Sequence, residues 1–165
     1  MEASALLEAI KLRFPSAVVE THAEHGHATA VVTRDAIREV LGVCRDRPEL
    51  AFDMLMDLTA VDYLRFPGRE DGPRFEVVYH LYSLPHNHRI RLKVRVDEDD
   101  ASVPTAVSLW PIADWFEREV WDMFGVRFEG HPDLRRLLMY EEFVGHPLRK
   151  DYPVNRRQPL IGPKA

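Results

Sequence analysis

The segment from Arg89 to Val96 constrains the fold most, because basic and aliphatic side chains alternate along it without a break. The aliphatic positions are Ile90, Leu92, Val94 and Val96, and the basic ones are Arg89, Arg91, Lys93 and Arg95. A period of two is that of a β-strand, in which successive side chains lie on opposite faces of a sheet. The segment therefore predicts a strand with one buried face and one face that carries four positive charges.

Other segments show helical or extended patterns in a simple order. Apolar spacing predicts a helix from Leu6 to Phe14 and a second one whose apolar face is Ile37, Val40, Leu41 and Cys44, with Thr33 as its expected N-cap. Strands are expected at 17–21, 28–32, 52–64 and 75–84. This order predicts a two-layer α+β domain, in which a mixed, largely antiparallel sheet packs on helices.

A last helix is predicted near residue 115, because apolar residues recur there at helical spacing: Ile112, Phe116, Val120 and Met123, flanked by Trp115 and Phe124. Glu119 falls within this apolar stripe and Trp121 falls on the opposite side. A buried carboxylate is costly unless it is paired, so we expect Glu119 to bind an arginine or backbone donors, and its loss to destabilise the chain. Trp121 suggests a contact surface. The alternative is a core helix with Glu119 at its edge and Trp121 half covered.

The end of the chain differs in composition from the rest. From Gly145 onward it holds five basic residues, one acidic residue and four of the twelve prolines, and few large apolar side chains. Such a segment cannot bury enough apolar surface to fold alone. We therefore predict a compact domain over residues 1–125 and an extended C-terminal docking arm over residues 126–165. The arm is expected to be mobile in isolation and to order on a partner, with Leu148, Tyr152, Val154, Leu160 and Ile161 filling small pockets there.

Composition also limits the chemistry of the chain. Cys44 is the only cysteine, which excludes an iron–sulfur cluster or a thiolate zinc site built from this chain alone. No catalytic, cofactor-binding or metal-binding residues are predicted, since no nucleophile, phosphate-loop or zinc-protease motif is present. The histidines at 22, 25 and 27 are interpreted as a solvated loop. The N-terminus resembles no leader and no apolar run could span a membrane, so a cytosolic chain is expected.

Nucleic-acid binding is a remote alternative. The basic face of the strand at 89–96 and the basic end of the chain could together form a groove that follows a phosphate backbone. The acidic remainder of the domain and a sequence pI near 5.9 argue against this function, and so does the absence of an RNP-like, KH or helix-turn-helix pattern.

Fixed spacings between residues 115 and 153 resemble the signature of a known family. They comprise Glu117-Arg118-Glu119, Asp122-Met123-Phe124, His131, Arg135, Leu137-Leu138 and two Gly-His-Pro blocks, at Gly130–Leu138 and Gly145–Pro153. The segment Asp57–Leu64 is similar to a further block of that family. The family is the C subunit of proton-pumping NADH:quinone oxidoreductase, the 30 kDa subunit family of respiratory complex I.

The resemblance implies a structural, cofactor-free subunit of the hydrophilic arm of that complex. A member of this family docks to the D subunit, which carries the quinone site, and to neighbouring iron–sulfur subunits, and it supports electron transfer from NADH to quinone. FMN and iron–sulfur clusters are expected in the partner subunits, on the cytoplasmic side of the bacterial inner membrane. Equivalent subunits of membrane-bound nickel–iron hydrogenases and of F420- or ferredoxin-dependent dehydrogenases remain alternatives.

The residues expected at the partner interface come from these blocks. They are Glu117, Arg118, Glu119, Trp121, Asp122, His131, Pro132, Arg135, Arg136, Gly145, His146, Pro147, Arg149, Lys150, Asp151 and Pro153. In each Gly-His-Pro block, glycine permits unusual backbone angles and proline fixes φ. Such stiffened corners would hold the neighbouring bases in set directions, which favours docking on an acidic partner over two ordinary surface turns.

Overall fold

Three helices and seven strands follow one another in the computed structural model, which describes residues 2–159. The helices are α1 (Ala3–Arg13), α2 (Ile37–Asp46) and α3 (Ala113–Phe124). The strands are β1 (Val18–His22), β2 (Ala28–Val32), β3 (Met54–Asp62), β4 (Phe75–Ser83), β5 (His88–Val96), β6 (Ser102–Pro104) and β7 (Arg127–Glu129). The elements predicted from the sequence are all present, and two short strands, β6 and β7, are added to them.

Five strands form one sheet in the order β1-β2-β5-β4-β3. The β2/β5 pair is parallel and the other three pairs are antiparallel. The two short strands β6 and β7 pair in parallel as a separate sheet. These pairings confirm the prediction of an α+β fold with a mixed, largely antiparallel sheet.

Strand β5 lies in the middle of the sheet and buries the side that the alternation predicted. Ile90, Leu92, Val94 and Val96 are at most 3% exposed. Their side chains join inward residues of β2, β3 and β4 and apolar residues of all three helices in one core. The helices therefore cover the same face of the sheet, and the basic residues of β5 lie on the opposite face.

The structure bears on two of the predicted boundaries. The predicted cap of α2 is wrong: Thr33 precedes a short 3₁₀ turn, Arg34–Ala36, it makes no side-chain cap hydrogen bond, and α2 begins only at Ile37. The division into a domain over 1–125 and an arm over 126–165 stays a prediction. Residues just past that division, Val126 and Phe128, are nevertheless buried in the core.

We expect Leu92→Ala to lower the free energy of unfolding by about 2–5 kcal/mol, because it leaves a cavity at a fully buried position of the central strand. Leu12→Ala is the matched control, because Leu12 is 86% exposed and its loss should change stability by less than about 0.5 kcal/mol. Urea denaturation of both variants measures the difference. Equal effects would contradict the assignment of β5 to the core.

Candidate partner-binding surface

Helix α3 carries the family-like signature and buries three charged residues. Glu117 and Asp122 are 0% exposed and Arg118 is 7% exposed. Glu119 is exposed, and no hydrogen bond or ion pair joins it to residues 2–159, so the expectation of a buried, paired Glu119 is wrong. The buried side of the helix differs from the predicted apolar stripe at its start. Ile112 was expected to be buried but is 46% exposed, and Ala113 is buried instead.

Asp122 is the central acceptor of this region. Its Oδ2 accepts hydrogen bonds from the backbone N–H groups of Leu137 (3.0 Å), Leu138 (2.8 Å) and Met139 (2.8 Å). Its Oδ1 accepts one from Arg136 Nη1 at 2.5 Å. Burial by itself would raise the pKa of Asp122, but these donors together hold it below its ordinary value. One carboxylate thus holds the loop after the first Gly-His-Pro block against α3.

Arg118 holds the same loop from the preceding turn of the helix. Its Nε and Nη2 donate to the backbone carbonyls of Arg135 and Arg136, each at 3.2 Å. Asp122 therefore accepts hydrogen bonds from N–H groups of the loop, and Arg118 donates hydrogen bonds to its carbonyl groups. This is why a loop without regular structure can pack closely on the helix.

The second Gly-His-Pro block closes the C-terminal end of α3. The last carbonyls of a helix have no partner within it. Here His146 Nδ1 donates to the carbonyl of Asp122 (3.0 Å), the N–H of Leu148 to that of Met123 (3.1 Å), and Arg149 Nε to that of Phe124 (2.6 Å). The positive charge of Arg149 is also favourable at this negative end of the helix dipole.

Gly125 makes this close approach possible. It ends α3 with φ of +78°, and a Cβ at this position would lie 2.6 Å from Arg149 Nη2 and 2.7 Å from the His146 ring. Any other residue would be strained in this left-handed conformation and would also displace the two capping side chains.

Asp62, in the mid-chain block at 57–64, anchors the arm from the sheet. Its carboxylate accepts from Arg74 Nη2 (2.8 Å) and from the N–H of Lys150 (2.8 Å). Arg74 in turn donates to Asp151 Oδ1 at 2.7 Å. Burial opposes ionisation of Asp62, but its contacts with Arg74, Lys150 and Leu64 lower its pKa overall. The family-like blocks that are distant in sequence therefore meet in one network.

Glu117 is the buried carboxyl of α3 that lacks a cationic partner within hydrogen-bonding distance. It accepts from Thr105 Oγ1 and from the N–H of Ala106, both at 2.6 Å. Burial raises its pKa to about 7, against the lowering effect of these two bonds and with added repulsion from Asp114. His131 Nδ1 accepts from the N–H of Asp133 (3.0 Å), so its proton lies on Nε2, which faces Asp114 Oδ1 at 3.1 Å.

The residues expected at a partner interface fall into three groups. Those held within the chain are Glu117, Arg118, Asp122, His131, Arg136, His146, Arg149 and Asp151. Those with exposed side chains are Glu119, Pro132, Arg135, Lys150 and Pro153. Trp121, Gly145 and Pro147 are half-buried. Whether any of them touches a partner stays a prediction, but the first group has a structural role that the sequence did not reveal.

Exposed apolar residues were mostly missed by the sequence analysis. Half of the large apolar side chains exposed within residues 2–159 belong to α3, the turn before it and the arm: Ile112, Trp115, Leu138, Tyr140, Val144, Leu148 and Val154. Leu148 and Val154 were expected to contact a partner, and both are exposed; Leu160 and Ile161 lie outside the described residues. We call these seven residues the apolar surface. We take them as the candidate residues for contact with another protein.

Residues 2–159 contain neither a metal-binding cluster nor a helix that could cross a membrane. No three or more His, Cys, Asp or Glu residues come together in a way that could hold a metal ion. No helix in this range is both long and apolar enough to cross a membrane.

The fold and these contacts define the class of the protein: an α+β domain whose last helix organises a long irregular C-terminal segment. The family model "Respiratory-chain NADH dehydrogenase, 30 Kd subunit" matches residues 30–158. The chain belongs to this family, as its sequence motifs predicted.

Relatives and solved structures agree with this assignment. The C subunit of NADH-quinone oxidoreductase from Citrifermentans bemidjiense is 47% identical over 93% of this chain and 92% of its own length. That of Geobacter sulfurreducens is 44% identical over 93% and 92%. A trypsin-resistant fragment of Nqo5 has a TM-score of 0.70 at 34% identity and covers 81% of this chain and 100% of the fragment. A chain of an archaeal membrane-bound sulfane sulfur reductase has a TM-score of 0.74 at 29% identity over 92% and 86%.

Replacement of Asp122 by alanine should be far more damaging than replacement of Glu119. Asp122→Ala leaves Arg136 Nη1 and three backbone N–H groups without their acceptor, and we expect a loss of about 3–5 kcal/mol in the free energy of unfolding. Glu119→Ala, on the same helix, should cost less than about 0.5 kcal/mol. Urea denaturation compares them, and similar losses would refute the central role of Asp122.

Glu117 should make stability depend on pH near neutrality. Its carboxyl has a pKa of about 7 in the folded chain and an ordinary value of 4.5, so the folded state binds the extra proton and stability falls as pH rises between these values. Glu117→Gln keeps an acceptor oxygen but cannot ionise. We expect wild type to lose roughly 2 kcal/mol more than Glu117→Gln between pH 5 and pH 8. Parallel pH profiles in urea denaturation would contradict the assignment.

Proposed function

We propose that this chain is a structural subunit, without a redox cofactor of its own, in the hydrophilic arm of a proton-translocating NADH:quinone oxidoreductase. It docks to the protein that carries the quinone site and supports electron transfer from NADH to quinone by holding its neighbours in place. The flavin and iron–sulfur clusters belong to partner subunits, and the chain is peripheral to the membrane on its cytoplasmic side. The names of the relatives support membership of this complex.

The observation that carries the docking proposal is the apolar surface along α3 and the arm. Trp115 and Leu138 are 54% and 56% exposed, and Leu148 is 52% exposed. The backbone beneath them is held by Asp122 and by the caps of α3, so these side chains are presented from a fixed support. Binding then costs less conformational entropy than the ordering of a free segment would.

A truncation of the arm cannot test docking alone. Removal of everything after Val144 takes away His146, Leu148 and Arg149, and with them three partners of the last carbonyls of α3. Such a truncation should destabilise the helix and should also weaken docking. Replacement of single exposed side chains separates the two effects.

We expect Leu138→Ser and Leu148→Ser to lower recovery of the tagged chain in the membrane-bound complex by about tenfold when combined, since each removes an exposed apolar contact from the interface. The melting temperature of the purified chain should stay unchanged. Leu12→Ser, at 86% exposure on α1, is the control and should be recovered normally. Recovery is measured by quantitative mass spectrometry after solubilisation. Normal recovery of the double variant would show that these residues are not part of the docking surface.

A second candidate is the equivalent subunit of a related respiratory membrane complex. The likeness to a chain of the sulfane sulfur reductase favours it, because the same fold occurs in a complex that is named for a different reaction. The proteins recovered with the tagged chain separate the candidates. An NADH-binding flavoprotein supports the first, and its absence together with a nickel-containing partner supports a hydrogenase-like complex.

A further inference from the structure

The face of the five-stranded sheet that the helices leave open carries one continuous polar row. In register across the strands, His22 of β1 lies opposite Thr29 of β2, Thr29 opposite Arg91 of β5, Arg91 opposite His80 of β4, and His80 opposite Asp57 of β3. Arg91 is the centre of this row. Neither the network around Asp122 nor the apolar surface includes any of these residues.

The part of the open face nearer the C-terminal end of β5 is electrically balanced. Glu76 of β4 is 0% exposed and lies 2.7 Å from Lys93 Nζ and 3.4 Å from Arg95 Nε. Arg95 Nη2 also lies 2.7 Å from Glu20. The basic residues here are therefore neutralised by carboxylates of neighbouring strands.

The polar row differs, because its one carboxylate, Asp57, makes no ion pair with the arginines beside it. Neither Arg91 nor Arg89 has a carboxylate oxygen within 4.0 Å among residues 2–159, and Arg89 instead lies over the Tyr82 ring at 5.2 Å. Burial and the neighbouring Arg91 lower the pKa of His80, so the positive charge at this end of the face belongs to the two guanidinium groups.

Two further polar atoms in the same row lack partners. Thr29 is 0% exposed, and both its Oγ1 and the Nδ1 of His22 are buried without a hydrogen bond within the described chain. Buried polar atoms usually have partners. Together with Arg91, they show that the polar groups of this row are not fully paired within residues 2–159.

The surface next to Arg91 is concave. A hollow of about 340 Å³ is lined by His27, Met56, Asp57, His80, Arg89 and Arg91, together with Ala28, Leu81 and Ile90. On its β3 side lie exposed apolar residues, with Met54 and Met56 both 43% exposed. Arginine, methionine and tyrosine are enriched in protein–protein interfaces, and all three lie on this part of the sheet.

We propose that this open face is a second docking surface, and that it binds a protein partner which places an acidic side chain in the hollow against Arg91. The proposal rests on the proposed function for the existence of the partner, which is another subunit of the same assembly. A carboxylate can accept two parallel bonds from a guanidinium, and Arg89 adds a second positive charge. The exposed methionines of β3 then pack against apolar groups that flank the acidic residue.

Charge reversal tests the proposal. Arg91→Glu should lower recovery of the tagged chain in the membrane-bound complex by about tenfold, because it opposes an acidic side chain in the hollow. Arg47→Glu makes the same change in charge at an exposed position after α2, on the helical side, and should be recovered like wild type. Unchanged melting temperatures of the purified chains establish that both variants fold. Recovery of Arg91→Glu equal to that of Arg47→Glu overturns the proposal.

A photo-reactive cross-linker at position 56 identifies what covers the hollow. The expected product joins this chain to another subunit, at a segment with Asp or Glu close to the cross-linked residue. A product with a second copy of this chain, or none in the intact complex, overturns the proposal. So does a rise in melting temperature with inorganic phosphate that Arg91→Gln abolishes, because the hollow then holds a small anion.

The same preparation separates this inference from the proposed function. If wild-type chain is not recovered with the subunits of an NADH:quinone oxidoreductase, the proposed function fails. If wild type and Arg91→Glu are both recovered normally, the proposed function stands and only the second docking surface is refuted.

Discussion

The carboxylate of Asp122 is the contact on which the C-terminal third of the structure depends. It accepts hydrogen bonds from three backbone N–H groups and from the Arg136 guanidinium. These bonds replace the backbone hydrogen bonds that regular secondary structure would otherwise provide for the loop. At the end of α3, the second Gly-His-Pro block is held in a similar way, by hydrogen bonds to the last carbonyl groups of the helix. The irregular segment is held by side chains of a helix, and its position is set by that helix.

Three charged residues of the arm are used within the chain itself. Arg136 and Arg149 serve acceptors of α3, and Asp151 serves Arg74. Their energy stabilises the chain itself, while exposed apolar side chains on this support are left for association. Burial of apolar surface is the larger contribution in most interfaces, and charge mainly sets orientation and partner choice. Charged residues of these blocks thus stabilise the chain, and exposed apolar residues of the same region are available for association.

The two faces of the domain differ for a related reason. On one face, helices bury the aliphatic residues of β5, and stability comes from packing. On the other, carboxylates of β1 and β4 neutralise Lys93 and Arg95, while Arg91 has no such neighbour among the described residues. A half-buried guanidinium without a carboxylate gains little within the chain, and it becomes useful when a partner supplies the anion.

The sequence by itself determined the three helices, the five strands of the main sheet and the family, because alternation, helical spacing and motif spacing are local properties of the chain. The strict alternation at 89–96 was enough to identify the central strand and its buried side. Only the tertiary structure decided which carboxyl of α3 is buried: Glu117 and Asp122 are enclosed and Glu119 is not. The groups that donate hydrogen bonds to Glu117 and Asp122 belong to Thr105, Ala106 and the loop at 136–139. The sequence of the helix alone does not show where these groups pack. Burial of a charge is set by distant partners, so it could not be predicted from the periodicity of one helix.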